Sequence, residues 1–161
     1  MKNINIFCFG FGQVAENFIN KAILENYNIS LSSTSRSETS EKKIQGINYT
    51  DYQFDEEKYD KNLITKLMAS DHILVSIPPK GGEDLVLKNF SQFLETPKVK
   101  WITYLSATSV YGDHKGVWVN ESSKTKTISP NGLARLKAES TWNSFGLDKN
   151  LPFQIFRLAG I

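Results

Sequence analysis

The sequence predicts a doubly wound α/β domain built on a mostly parallel sheet. Short apolar runs rich in β-branched and aromatic residues alternate with stretches whose apolar positions recur at helical spacing. The first of these runs ends in a glycine-punctuated turn, Gly10-Phe11-Gly12-Gln13-Val14-Ala15, that opens the first helical stretch. The chain of 161 residues fits one domain and is long enough to bury a core.

Taken in order, residues 4–9 form a nearly continuous apolar run, as expected of a strand covered on both faces. From residue 13 to 25, Val14, Ala15, Phe18, Ile19, Ala22 and Ile23 fall on one helical stripe. Ile29 and Leu31 mark a second strand, followed by a polar loop over residues 32–40, and residues 47–49 read as a short third strand. A helix is predicted over 62–69, then a buried strand over 72–77 that Pro78-Pro79 stops. Gly81-Gly82 opens a helix over 83–94, and residues 101–105 form the next strand. Ser129 before Pro130 is a helix start, a capping hydroxyl ahead of a proline at the first helical position. That helix carries Ala134, Ala138, Trp142 and Phe145 on one stripe, and residues 153–158 form a last strand. Strands alternating with helices imply parallel pairing and right-handed crossovers.

Composition narrows the function classes. Hydrophobic content of 40% with 22% charged residues is that of a globular domain, and the net charge of +2 comes from scattered lysines. Nothing there points to nucleic acid or to an acidic membrane surface. No apolar stretch approaches the roughly 20 residues that cross a bilayer. The opening residues read as a strand rather than a leader, because Asn3 and Asn5 interrupt the run at strand alternation. Cys8 is the single cysteine and lies in an apolar run, so it reads as a small buried residue. With no disulfide framework and no metal-type Cys/His spacing, the expected setting is cytoplasmic and the expected metal content is none.

The glycine turn has a physical reading as a phosphate cradle. Gly10 permits the tight turn, Gly12 lets the backbone approach a pyrophosphate, and Ala15 is small enough for the helix to pack on the strand. The helix start then offers free N–H groups, including those of Gln13 and Val14, to the phosphates. This is the Rossmann pattern for a dinucleotide. At the end of the second strand an acid selects NAD and an arginine accommodates the 2′-phosphate of NADP. Here Ser35 and Arg36 occupy that place and the first acid is Glu38, so NADP is expected, with NAD as the alternative.

A second signature lies downstream: Ser106-Ala107-Thr108-Ser109-Val110-Tyr111-Gly112, then Ser129-Pro130-Asn131-Gly132-Leu133-Ala134-Arg135-Leu136-Lys137-Ala138-Glu139. With the cofactor turn, it resembles the extended short-chain dehydrogenase/reductases, the sugar-nucleotide epimerases and dehydratases, and in particular their atypical, tyrosine-lacking members. The closing Phe156-Arg157-Leu158-Ala159-Gly160-Ile161 is similar to the next strand of that family. The resemblance covers the whole chain and stops before the family's substrate-binding part. It implies that one domain, residues 1–161, binds NAD(P). Beyond the turn residues, it implies cofactor contacts from Ser76, Ile77 and Pro78 after the strand that Pro78 stops, and from Ser106 and Arg135.

The same resemblance implies a hydroxyl, a phenol and an ammonium at three positions, which hold Ala107, Asn131 and Arg135. Pro130 and Glu139 fix the register. Lys137 does not replace the lysine, because two residues along a helix is a turn of about 200°. Alanine has no donor, and an asparagine amide does not exchange a proton near neutral pH. Tyr111 is the nearest phenol that could substitute as donor, with packing of its loop as the other role. His114 and the carboxylates of Asp113 and Glu121 read as loop residues, and His72 as the solvent end of its strand. The expectation is an NAD(P)-binding epimerase/dehydratase-like protein with a degenerate site; the alternatives are a cofactor-binding sensor or regulatory module, or a piece of a longer enzyme. The expected partners are the dinucleotide and an unidentified small-molecule substrate, and a homodimer is left open.

Overall fold

The computed structural model of the protein describes residues 3–96 and 98–160. Ile161, which closes the last motif quoted above, lies outside the described residues, as do Met1, Lys2 and Pro97. The strands are β1 (Asn3–Phe9), β2 (Asn28–Ser35), β3 (Ser40–Ile44), β4 (Ile47–Asp55), β5 (Lys58–Tyr59), β6 (His72–Val75), β7 (Trp101–Ala107) and β8 (Phe153–Leu158). The helices are α1 (Gln13–Leu24), α2 (Leu63–Met68), α3 (Leu85–Leu94) and α4 (Pro130–Asp148), and a 3-10 turn spans Thr108–Tyr111.

The sheet runs β3-β4-β2-β1-β6-β7-β8, with β5 paired to β4. The pairs β4–β2, β2–β1, β1–β6, β6–β7 and β7–β8 are all parallel. This is the doubly wound sheet that the alternating pattern predicts. β1 is buried on both faces: Ile6 and Cys8 join the core under α1, and Phe7 and Phe9 join the core under α2, α3 and α4. Cys8 is inaccessible, and burial pushes its thiol pKa up to about 12. Trp142 of α4 lies fully buried on the second face, stacked near Tyr104 and Phe153.

The structure corrects the polar loop expected at residues 32–40. Ser32, Ser33 and Thr34 continue β2 and are buried, pairing with β4 from Ser32↔Thr50 onward. Two of these hydroxyls have partners: Ser33 donates to Asp51, and Thr34 accepts the Gly10 N–H. A satisfied hydroxyl costs little inside a sheet, so polarity alone is a poor guide to where a strand ends. Residues 40–44 then form β3, an antiparallel edge strand that sequence periodicity does not reveal. Its turn into β4 has positive φ at both Gln45 (44°) and Gly46 (86°), the hairpin geometry that glycine favours. A helix usually makes this crossover in doubly wound folds. Here a short, lysine-bearing edge strand makes it, and such a strand resists pairing with other chains.

Other boundaries shift for local reasons. α3 begins at Leu85 because Asp84 caps it, accepting the N–H groups of Val86 and Leu87. Gly81 and Gly82 lie in the turn before it, with Lys80 and Glu83 bridged. Ser129 caps α4 as expected, accepting the N–H of Gly132 behind Pro130. None of the described helices is long and apolar enough to cross a membrane.

Candidate functional site

The strand order reverses at β1, with β2 on one side and β6 on the other, and ligands of such sheets bind at that reversal. The Phe9 carbonyl at the end of β1 accepts both Ser76 N–H (2.8 Å) and Ile77 N–H (3.2 Å). The loop after β6 is thereby clamped onto the end of β1. Gly10 follows with φ of 81°, and a Cβ there would sit 2.7 Å from Ile77 Cγ2. Positive φ and close approach both demand glycine at this point.

Gly12 differs. It is the N-cap of α1, with extended backbone and no side-chain cap, and a Cβ built there meets nothing within 4 Å. The first helical bond is Glu16 N–H to the Gly12 carbonyl, so the N–H groups of Gln13, Val14 and Ala15 precede the helical ladder. Ala15 is fully buried, which lets α1 pack closely on the sheet. The result is an open space in front of a helix start.

That space is one end of a cleft of about 560 Å³. Gly10, Phe11 and Gly12 form its floor, Ser35 and Arg36 enter from the end of β2, and Ile77 and Pro78 from the end of β6. Phe11 is held by Tyr49, ring centroids 5.3 Å apart. The cleft also takes residues that the sequence reading missed: Thr34, Phe54, Asp55, Glu56, Lys80 and Leu85. The alternation of Tyr52 and Phe54 with polar neighbours was the available signal that β4 runs on to this edge. Glu56 and Lys80 form an ion pair at the cleft, which lowers the Glu56 carboxyl pKa and raises that of the Lys80 ammonium.

Beside the cleft, under Phe11, lies a buried ionic group. The Asp51 carboxylate, 1% exposed, accepts from Ser33 Oγ and Lys42 Nζ, each at 2.5 Å. Burial alone would raise its pKa, but the bonds from Lys42 and Ser33 outweigh it and hold the carboxyl below the usual aspartate range. Lys42 is thus committed to Asp51.

The downstream signature converges at the ends of β7 and β8. Ser106 is buried with its hydroxyl unpartnered, and Ala107 ends β7 half-buried. Asn131 is exposed at the second position of α4. One turn later Arg135 donates from Nη1 to the Leu105 carbonyl at 2.9 Å, so its guanidinium lies along the end of β7. Lys137 points elsewhere, towards Gly82. Tyr111 is 6% exposed, and its phenol oxygen accepts from Arg157 Nη1 at 3.1 Å while the same guanidinium lies 4.9 Å from the ring centroid. Arg157 also donates to both oxygens of the buried Glu139, at 2.8 Å from Nη2 and 3.0 Å from Nε. The Glu139 bonds come first among the causes that raise the pKa of Arg157.

Of the remaining candidates, His114, Asp113 and Glu121 fall in loops. His114 Nε2 lies 2.9 Å from the Lys124 carbonyl, and Asp113 accepts the Lys115 N–H. Glu121 lines a second cleft with Tyr111 and Arg157. His72, the first residue of β6, is half-buried against Trp101, and burial lowers its pKa.

No family model and no curated protein matches the sequence. Solved structures do. A functionally unknown conserved protein from Silicibacter pomeroyi DSS is 26% identical with a TM-score of 0.76, over 98% of this chain and 52% of that one. A UDP-glucuronic acid 4-epimerase from Bacillus cereus, in complex with NAD, is 18% identical with a TM-score of 0.71, over 97% of this chain and 56% of that one. A UDP-N-acetylglucosamine 4-epimerase from Methanobrevibacter ruminantium M1, in complex with UDP-N-acetylmuramic acid, is 18% identical with a TM-score of 0.76, over 98% and 55%. The chain has the Rossmann fold of these structures and spans about half their length.

Proposed function

We propose that residues 1–161 form one dinucleotide-binding domain that takes NADP(H) in preference to NAD(H), and that it lacks the proton-transfer groups of the epimerases and dehydratases it resembles. The observation that carries this reading is the contrast between the two glycines. Gly10 is pinned against Ile77, whereas Gly12 faces open space before unpaired helix N–H groups. A bare glycine turn between packed elements needs no such opening, and a pyrophosphate does. The fold shared with an epimerase in complex with NAD supports the same ligand class.

In this reading the backbone of Gly10, Phe11, Gly12, Gln13 and Val14 holds the pyrophosphate. Ser35 and Arg36 hold the adenosine ribose with its 2′-phosphate, and Ser76, Ile77 and Pro78 line the path between. Ser106 and Arg135 face the nicotinamide end, where the bound cofactor would supply a hydride donor or acceptor. The chain's own groups there do little proton chemistry. Ala107 has no donor, the Asn131 amide does not exchange a proton near neutral pH, and the Arg135 guanidinium is held by the Leu105 carbonyl. Tyr111 serves to pack the 3-10 turn against Arg157 rather than to donate a proton. The substrate is a small molecule of unidentified class.

Isothermal titration of the purified chain with NADPH and NADH tests the reading, with Gly12→Val as control. A Cβ at this position meets nothing within 4 Å, so the variant is expected to fold, and its side chain projects into the phosphate space, so binding is expected to be lost. Undiminished NADPH binding by folded Gly12→Val protein overturns the assignment of the turn.

A further inference from the structure

Resting on the dinucleotide reading, we propose that Lys80 is a second cation of the 2′-phosphate subsite, facing Arg36 across the end of β1, and that Glu56 holds it until a phosphate displaces the carboxylate. Arg36 comes from the end of β2 and Lys80 from the loop after β6, and both line the cleft that begins at Gly12. Neither position alone makes a phosphate site; two cations converging from opposite sides of one cleft do.

The mounting of Lys80 is what separates it from an ordinary surface lysine. Pro78 and Pro79 fix the backbone before it. After it, Lys80 N–H donates to the Glu83 carbonyl (2.9 Å) and Glu83 N–H to the Lys80 carbonyl (3.0 Å), closing a two-glycine turn with φ of 58° and 79°. The base of the side chain is therefore rigid while its four-carbon stem is free to swing. Glu56 is mounted in the same way: its carbonyl accepts from Asn89 Nδ2 at 2.9 Å, which ties the β4–β5 turn to α3. Both side chains remain exposed, Lys80 at 66% and Glu56 at 51%. An ion pair so exposed is weak, so exchanging the carboxylate for a doubly charged phosphate is favourable. Arg36 lies near enough for its like charge to oppose that of Lys80, as two cations around one anion site would.

The test uses two probes of the adenosine half, adenosine 2′,5′-bisphosphate and 5′-AMP, titrated into the full chain by calorimetry. Lys80→Met is expected to weaken the bisphosphate about tenfold, the loss of one charge-assisted contact, and 5′-AMP by less than about twofold. Lys80→Arg should keep the preference, and Glu56→Gln, which frees the lysine, should tighten the bisphosphate without changing 5′-AMP. Equal loss for both probes with Lys80→Met, or no loss for either, overturns the proposal and leaves an exposed ion pair only. In that case NADH and 5′-AMP binding by the unmodified chain still stands for the dinucleotide reading. If the unmodified chain binds neither probe and neither dinucleotide, that reading falls and this one with it.

Discussion

At the scale of single residues, the proposed preference for NADP(H) rests first on Arg36. Only NADPH carries a 2′-phosphate, so Arg36→Ala should weaken NADPH by about tenfold or more while NADH changes little, a charge-assisted contact being worth roughly 1.5–3 kcal/mol. Titration of both cofactors reads this directly, and equal losses would remove Arg36 from discrimination. That Arg36 and the glycines meet at one cleft was legible in the sequence because the rules are local: a turn needs positive φ, and a strand end presents its next side chain. Lys80 was not legible, because nothing in Pro78-Pro79-Lys80-Gly81-Gly82 says which strand will lie across from it. The partner of Tyr111 was hidden for the same reason, since Arg157 lies 46 residues away and meets it only once β8 is in the sheet.

At the scale of elements, the informative departure is the replacement of a crossover helix by β3. The strand was invisible to periodicity because Ser40–Ile44 has one buried residue, Ile44, and the signal that remained was the Gln45-Gly46 turn. What β3 contributes is Lys42, which closes the Asp51 group on the face under α1. That group has a pH signature. The Asp51 pKa is lower folded than unfolded, so its stabilisation is fully present above the unfolded value of about 3.9 and is lost as pH falls through the folded value. Asp51→Asn should cost about 2 kcal/mol at pH 7, since it removes the charge from a buried hydrogen-bonded pair. In a domain of this size that is a fall of roughly 5 °C in Tm. The gap between variant and native protein should then narrow as the pH is taken below about 4. Thermal melts across that range decide it: a gap that stays constant from neutral to acid pH would mean that Asp51 is not ionised in the folded protein or that its charge contributes nothing.

At the scale of the whole molecule, the proposed dinucleotide site rests on the parallel sheet, the reversal at β1 and the cleft in front of Gly12, while the resemblance places proton chemistry at Ala107, Asn131 and Arg135. In the proposed reading, binding needs backbone shape, which the glycines supply, whereas proton transfer needs particular side chains, which these positions do not carry. The chain saturated with cofactor should therefore show no appreciable hydride transfer with sugar nucleotides or simple carbonyls. General acid–base catalysis alone is worth roughly 10²–10⁴-fold, so its loss is plain in a rate. Installing Ala107→Ser, Asn131→Tyr and Arg135→Lys together restores the residue types but should not by itself restore turnover. The chain spans about half the length of the epimerases it resembles, and a reacting carbon must be held near its acid and its hydride acceptor before either matters. Turnover by the unmodified chain would reverse this conclusion, and Tyr111→Phe would then say how. If that variant is dead, the phenol bound to Arg157 is the donor after all; if it is fully active, the register anchored on Pro130 and Glu139 is the error, and the reacting groups lie elsewhere in the cleft.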